Sequence, residues 1–325
     1  MKVLIFSVLL LNSMHSTSFI LYRLPGSNQL HRSEFTSISS DKLSFGEISV
    51  NPWVCDNFGA AMTVCTDSTD KDYYISSLSR LIEALRKDSC KTVICRQICG
   101  KFSRFAPEEL AVEYFRSFPD SFCFMFYHPL TGFWMGASPE LLLEVKTPTE
   151  AHTRALAGTK PIADTTPWDS KNIEEHRIVV DDILGRLTGL GYSVSAEAGT
   201  TADLAYGTVR HLCTPISIHS DAQLPFEKIV STLHPTSAVG GYPREKALEY
   251  IKEYEATPRN CYGGLITVPT PDGPLAYVIL RCVHFDNEKW AIYTGSGITH
   301  ASDAEDEWRE TEAKATPLVN LLSSF

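Results

Sequence analysis

The run from residue 264 to residue 294 constrains the fold more than any other stretch of the chain. Three β-branched and aromatic segments, 264–268, 275–285 and 289–294, are separated only by 270–274 and 286–288. Links that short cannot span a crossover, so these strands pair antiparallel. A second hairpin is predicted from 122–127 and 132–137 around a turn at 129–131, followed by a loop at Ser138 and Pro139 and a strand from Leu141. Strands are also expected at 19–22 and 92–98. Helices fall between them. In residues 73–87, Ile75, Leu78, Leu81, Ile82 and Leu85 recur at threes and fours, and in 170–187 Ile173, Val180, Ile183, Leu184 and Leu187 mark a second apolar stripe. Pro107, Pro225 and Pro243 each open a further helix, because proline suits the first helical turn; the first of these runs to 118. This pattern predicts an α+β fold with large antiparallel sheets in one large domain over 1–325, not the strict strand–helix alternation of a doubly wound sheet.

Composition narrows the function. With 43% hydrophobic and 21% charged residues in 325, the chain can bury a substantial core and is neither disordered nor fibrous. No apolar run reaches the roughly 18 residues that a membrane-spanning helix needs. A net charge of −10 argues against nucleic acid or an anionic membrane as the main partner, so a small anionic substrate requires a local basic pocket. The 9 cysteines, an odd number with no C-x-x-C pair, suggest neither a disulfide framework nor a thiolate zinc site; they read as small core residues in a reducing cytoplasm. Lys2 followed by the apolar run 3–11 has the charged and hydrophobic regions of an export signal, but no small-x-small cleavage site follows. A misassigned start codon or an extra buried segment is the plainer reading.

The densest charge lies at 303–312, where six carboxylates are opposed only by Arg309. Glu307, Glu310 and Lys314 follow at steps of three and four, so on a helix they share one face while Trp308, Ala315 and Leu322 can turn to the core. Such a block is either a solvated acidic face or a set of hard oxygen ligands for a cation. Glu174, Glu175 and His176 sit on another predicted helix, and carboxylates from two helices are a usual way to hold magnesium; Asp181 and Asp182 show how ordinary acidic pairs are. The H-E-x-x-H zinc pattern is missing. Gly295-Ser296-Gly297 does not complete a G-x-G-x-x-G nucleotide loop, and reads as a turn or as backbone N–H groups offered to a carboxylate. Lys91, entering a predicted strand, and Glu140, in a hairpin corner, are either surface charges or, if buried, a lysine of lowered and a carboxyl of raised pKa, suited to general base and general acid. Pro317 should end or kink the last helix.

Taken in chain order, KTVICR from Lys91, GASPELLLE from Gly136, RALAGTK from Arg154, KNIEEH from Lys171, HPTSAVGGYP from His234, YGG from Tyr262, ILR ending at Arg281, YTGSGI from Tyr293 and EWRETEAK from Glu307 resemble the chorismate-utilising enzymes. That family includes isochorismate, anthranilate, aminodeoxychorismate and salicylate synthases. The match is strong over 91–325 and weak over 1–90. It implies a single large α/β domain with antiparallel β-sheets at the core, helices outside and the active site in a cleft. Lys91 looks like the water-activating base shared by isochorismate and salicylate synthases, which the ammonia-using anthranilate enzymes are expected to lack. Ala157 is unlike the lysine that forms a covalent adduct in aminodeoxychorismate synthases, and HPTSAVGG resembles the isochorismate branch more than the P-T-G-T type. The resemblance therefore implies an isochorismate synthase acting on chorismate. Salicylate synthase is the nearest competitor, and a non-catalytic chorismate-binding homologue is the alternative of a different class.

The same resemblance implies roles for particular residues. Magnesium would be held by Glu175 and Glu310, with Glu307 contributing directly or through water. Lys91 would be the base and Glu140 the acid. Arg281, Tyr293 and the backbone of Gly295, Ser296 and Gly297 would clamp the enolpyruvyl carboxylate, with Lys314 beside the ring carboxylate. Gly158, Thr159, His211 and Ala238 would line the cleft, Gly158 and Ala238 by allowing close approach; His211 could equally be a satisfied buried histidine. A monomer with no obligatory amidotransferase subunit, supplying menaquinone or siderophore synthesis, completes the expectation.

Overall fold

A computed structural model describes residues 18–88, 90–191, 194–206 and 209–325; the apolar run 3–11 lies outside them. Two antiparallel sheets organise the chain. In spatial order the 8-stranded sheet is β14 (Gly241–Tyr242), β6 (Lys91–Lys101), β18 (Lys289–Ile298), β17 (Cys282–Phe285), β8 (Gly132–Ser138), β7 (Phe122–His128), β1 (Phe19–Arg23) and β2 (His31–Glu34). The 10-stranded sheet is β11 (Val194–Ala198), β13 (Val209–Ser220), β10 (Glu150–Pro161), β9 (Leu141–Thr147), β16 (Leu275–Val278), β15 (Leu265–Val268), β5 (Ile48–Asn51), β4 (Leu43–Phe45) and β3 (Ser37–Ile38), with β12 (Ala202–Tyr206) also paired to β13. The helices are α1 (Lys71–Asp88), α2 (Pro107–Ser117), α3 (Ser170–Thr188), α4 (Phe226–Leu233), α5 (Arg244–Tyr254) and α6 (Ala304–Leu322).

β7 shows why the sheets sit at the centre. Phe122, Phe124 and Phe126 enter an aromatic core with Phe45, Tyr277 and Tyr293, while Cys123 and Met125 join the opposite cluster, where α2 and α6 pack through Tyr114, Phe115, Leu318 and Leu322. A strand buried on both faces reads as a continuous apolar run, which is what FCFMFYH is. β1 behaves alike, with Ile20 and Tyr22 on one side and Phe19 and Leu21 on the other. Phe122 stacks on Tyr277 at 4.3 Å between centroids and so joins the two sheets. Leu78 and Leu85 of α1, Val179 and Ile183 of α3, Ile229 of α4 and Ile251 of α5 form a third cluster with Ala151 and Ile216 of the second sheet. Within the weakly matching N-terminal part, residues 19–51 supply strands to both sheets.

Several departures from the expected pattern shape the site. The apolar run 275–285 is not one strand. β16 pairs with β15 and β9 in one sheet, whereas β17 pairs with β18 and β8 in the other. The chain changes sheets at 279–281, where Arg281 adopts a left-handed φ of 48°; hydropathy cannot register this, because both halves are equally apolar. Gly295, Ser296 and Gly297 are not a turn but part of β18, paired with Cys95, Ile94 and Val93. On α3, Ile173 is 53% exposed, and the buried face begins instead with Asn172, Glu175 and His176, because its first turns meet polar partners on β10 and β13, Asn172 at Thr159 and His176 at Thr214, with Glu175 at the cavity. α6 passes through Pro317 to Leu322; Ala315, Leu318 and Leu322 pack against α2 on either side of the proline, which outweighs one missing hydrogen bond.

Candidate active site

A cavity opens where the two sheets, α3 and α6 meet, and it gathers Glu140, Gly158, Thr159, Glu175, His211, Ala238, Arg281, Tyr293, Gly295, Ser296, Gly297 and Lys314 on its wall. One side is built by β10 and α3. The β10–β13 register shifts between Ala157 and Thr159, and Gly158 sits in that irregularity with a φ of 74°, its missing Cβ 3.3 Å from the Asn172 carbonyl. No L side chain is comfortable there. Asp169 caps α3 by accepting from the Asn172 backbone N–H, and Asn172 Oδ1 accepts from the Thr159 N–H at 3.1 Å. The helix N-terminus and the bulged strand therefore hold each other in place.

That anchoring points Glu175 inward. Its Oε1 lies 3.2 Å from Nζ of Lys91, the first residue of β6 and only 1% exposed. Burial alone would raise the Glu175 pKa, but Lys91, Lys171 and Lys314 bring it below the ordinary carboxylate value. A Cβ on Gly297 would overlap Glu175 Oε1 and come within 3.0 Å of Lys91 Cε, so any larger residue here must displace the ion pair.

Glu140 arrives from the other direction. Pro139 and Glu140 alone connect β8 to β9. The Glu140 backbone is pinned by its N–H to Ser138 Oγ at 3.1 Å and by its carbonyl, which accepts from Val278 at 3.1 Å. Its side chain is buried, and Thr236 Oγ1 donates to Oε1 at 3.0 Å. Burial pushes the Glu140 carboxyl up to about 7, against the opposing pull of Thr236, Lys91, Arg154 and Lys314.

The anion-facing groups are equally fixed. Arg281 Nη2 and His211 Nε2 are 3.2 Å apart, and His211 Nδ1 is 3.2 Å from the Gly158 carbonyl. A guanidinium has no acceptor, so Nε2 accepts and Nδ1 carries the proton. Burial, with Arg281 and Lys314 nearby, lowers the His211 pKa well below its usual value. His211 is thus a neutral buried histidine that orients Arg281. The Tyr293 hydroxyl accepts from Asn260 Nδ2 at 3.2 Å, beside a second cavity that these two residues line with Met62 and Cys65, whereas the tyrosine hydroxyl next to Gly295 on the site wall is that of Tyr262. β17 stops opposite Tyr293, so past that point the cavity edge of β18 has no strand partner in its sheet. Lys314 Nζ donates to the exposed Gly295 carbonyl at 2.9 Å and to Glu310 Oε1 at 2.6 Å.

Lys91 and Glu310 stand one contact behind the wall, reached through Glu175 and Lys314, while Glu307 pairs with Lys171, which is itself off the wall. Among the described residues, no three acidic, histidine or cysteine side chains converge as a ready-made metal cage; each candidate glutamate touches a lysine instead. Glu307, 1% exposed, accepts from Lys171 Nζ at 2.7 Å, and its Oε2 is buried with no hydrogen-bond partner among the described residues. Burial and the neighbouring Glu310 push the Glu307 carboxyl up to about 7. A buried oxygen without a partner, crowded by like charge, suits a hard divalent cation. The rest of the acidic block, Asp303, Glu305, Asp306 and Glu312, is solvated. Sequence reasoning passed over Lys171, Asn172 and Thr236. Lys171 lies four residues before Glu175 on the same helical face, a spacing that could have revealed it.

A sheet junction that brings a guanidinium, an ammonium and a shielded carboxyl to one cavity wall is a candidate site for a small charged molecule. The chain belongs to the chorismate binding enzyme family, which it matches over residues 41–323. It is 28% identical over 200 residues to isochorismate synthase MenF of Haemophilus influenzae, a stretch covering 58% of this chain and 46% of that protein. It is also 28% identical over 213 residues to anthranilate synthase component 1 of Aeropyrum pernix, covering 61% and 48%. The chain thus spans about half the length of the curated relatives it matches. In structure it resembles MenF, the menaquinone-specific isochorismate synthase of Escherichia coli, with a TM-score of 0.78 at 18% identity over 98% of this chain and 91% of that one. That likeness is one of fold, and it agrees with the expected single domain of antiparallel sheets and flanking helices.

Proposed function

We propose that this chain is an isochorismate synthase, a magnesium-dependent isomerase that interconverts chorismate and isochorismate, with 1–325 acting as one chorismate-binding domain. The observation that carries the reading is a buried, readily protonated carboxyl on the cavity wall with a buried lysine one contact behind that wall, Glu140 against Thr236 and Lys91 against Glu175. Lys91, once it has given up the proton it holds in the ion pair with Glu175, takes a proton from water as the water oxygen bonds to the ring carbon beside the carboxylate-bearing one. Both ring double bonds shift by one position, and the C–O bond to the hydroxyl across the ring breaks while Glu140 delivers a proton to it, so that water leaves. Water enters and water departs, which makes the reaction reversible with the two groups exchanging roles.

Arg281 and the open edge of Gly295, Ser296 and Gly297 hold the enolpyruvyl carboxylate, and Lys314 balances the ring carboxylate. Thr159 and Ala238 shape the wall. Glu175, Glu307 and Glu310 would hold magnesium, which when bound anchors the ring carboxylate and draws charge from the diene. Lys91 favours this reading over the anthranilate branch, because the family resemblance assigns water activation to that position. With water as nucleophile the chain needs no amidotransferase subunit and acts as a cytoplasmic monomer, its product feeding menaquinone or siderophore synthesis. Among the described residues no helix is long and apolar enough to cross a membrane.

Purified protein incubated with chorismate and magnesium, with and without chelator, tests the proposal by chromatography of the products. Isochorismate is expected only with metal, at the same final ratio from either side. Salicylate with pyruvate would move the chain to the salicylate synthases, and bound but unconverted chorismate would make it a non-catalytic homologue; either result overturns the proposal.

A further inference from the structure

Glu140 reaches the cavity from a two-residue link, and its carboxyl receives one side-chain hydrogen bond among the described residues, from Thr236 Oγ1 to Oε1 at 3.0 Å. Both residues are 5% exposed, so bulk water does not compete for that bond. We propose that Thr236 is a positioning residue that selects which oxygen of Glu140 carries and delivers the proton; the inference rests on the reaction proposed above and specifies how its acid is aimed. A threonine hydroxyl has a single proton. Donated to Oε1, it makes that oxygen an acceptor in both protonation states. In the acid form Oε1 is then the carbonyl oxygen and the proton resides on Oε2, the oxygen left to the cavity that Glu140 lines. After transfer the same bond becomes charge-assisted and steadies the carboxylate.

The local backbone supports the role. The Thr236 carbonyl accepts from Val239 N–H at 3.1 Å and from Gly240 N–H at 2.8 Å, which closes a tight turn. Arg259 Nη1 donates to the Val239 carbonyl at 2.8 Å and holds that turn from behind. The same turn places Ala238 on the cavity wall, so one element sets both the direction of the acid and the shape of the space it faces. The charges around Glu140 are Lys91 of β6, Arg154 of β10 and Lys314 of α6, and all favour the carboxylate. They act through space and cannot distinguish one oxygen from the other.

Thr236→Val keeps the shape and removes the donor. It is expected to lower kcat roughly 10- to 100-fold with KM for chorismate within about twofold. The basic limb of the pH profile should move upward, because the bond that favoured the carboxylate is lost. Thr236→Ser should restore both. A carbon-13 NMR titration of the Glu140 carboxyl, assigned by the signal missing in Glu140→Gln, reads the same upward shift without substrate. An inactive wild-type protein would count against the reaction, whereas an unmoved titration in Thr236→Val would overturn the role of Thr236. Activity lost equally in Thr236→Ser, or lost in step with a lower Tm and no titration shift, would overturn it as well.

Discussion

Replacing Arg259 by methionine should be among the most costly single changes in this protein. Arg259 is 1% exposed. Its Nε lies 3.1 and 3.0 Å from the two Glu255 oxygens, and Nη2 lies 2.6 Å from Oε1. Nη1 and Nη2 also donate to the carbonyls of Val239 and Val93 at 2.8 and 2.7 Å, while the guanidinium lies 4.3 Å from the Trp53 ring centroid. Methionine fills similar space over Trp53 but leaves a buried carboxylate unpaired, at a typical cost of about 3–5 kcal/mol. Two buried carbonyls lose donors at about 1–3 kcal/mol each, though such losses do not add in full. One escape limits the total: burial already raises the Glu255 pKa, and without Arg259 the group can take up a proton. A loss of about 4 kcal/mol at pH 7 is therefore expected from urea unfolding, shrinking as the pH falls because the folded state then binds the proton more tightly than the unfolded chain. Adding Glu255→Met should recover at least half, since a packed apolar pair often matches a buried ion pair. A loss below about 1 kcal/mol, or a double variant no more stable than the single one, would refute the reasoning. Turnover should fall as well, because Val93 follows Lys91 by two residues and Val239 adjoins Ala238.

Three further outcomes follow from the site. Gly297→Ala places a methyl against Glu175 Oε1 and Lys91 Cε; thermal unfolding should show about 1–3 kcal/mol of overpacking and chorismate turnover should fall at least tenfold, with wild-type turnover contradicting the close approach. Glu140, raised from 4.5 to about 7 in the folded protein, contributes stability that is complete below pH 4.5 and is lost as pH rises through 7, on the order of 3 kcal/mol. Urea unfolding at pH 5 and pH 8 should show that slope flattened in Glu140→Gln, and an identical slope would mean that the carboxyl is not buried in solution. Lys171→Met removes the ammonium that competes for Glu307, so magnesium should raise the Tm of this variant more than that of the wild type; an equal shift would take Glu307 out of the metal site.

The legible part of this chain was the part written in periodicity. The α1 stripe and the hairpins of β7–β8, β15–β16 and β17–β18 follow from apolar spacing and short links. α3 was only half legible, because hydropathy assigns burial to apolar side chains, whereas Asn172 and His176 are buried against Thr159 and Thr214, and Glu175 at the cavity. The burial of Lys91 has no local signal, since it depends on β14, β18 and α3 closing around the first residue of β6. Base, acid and carboxylate clamp came from the family resemblance. Lys171 and Thr236 lie inside the motifs that carried it, KNIEEH and HPTSAVGG, and only their contacts with Glu307 and Glu140 single them out.

The acid and the guanidinium share an architectural cause. β8 pairs with β17 in one sheet and β9 with β16 in the other, so the ribbon made of 132–147 and 275–285 runs from sheet to sheet as a pair of strands. Both strands of the ribbon bend at the same level, one at Pro139 and Glu140, the other at 279–281. Bonds from Ala137 N–H to the Arg281 carbonyl at 3.3 Å and from Val278 N–H to the Glu140 carbonyl at 3.1 Å flank the bend on either side. A strand that leaves one sheet for another must interrupt its pleat, and the side chains at the interruption are no longer committed to either sheet's packing. Glu140 and Arg281 occupy that interruption. Their separation is therefore set by the width of a two-stranded ribbon anchored in two sheets, which would give the proposed proton donor and anion clamp a fixed spacing that loops of comparable length could not maintain.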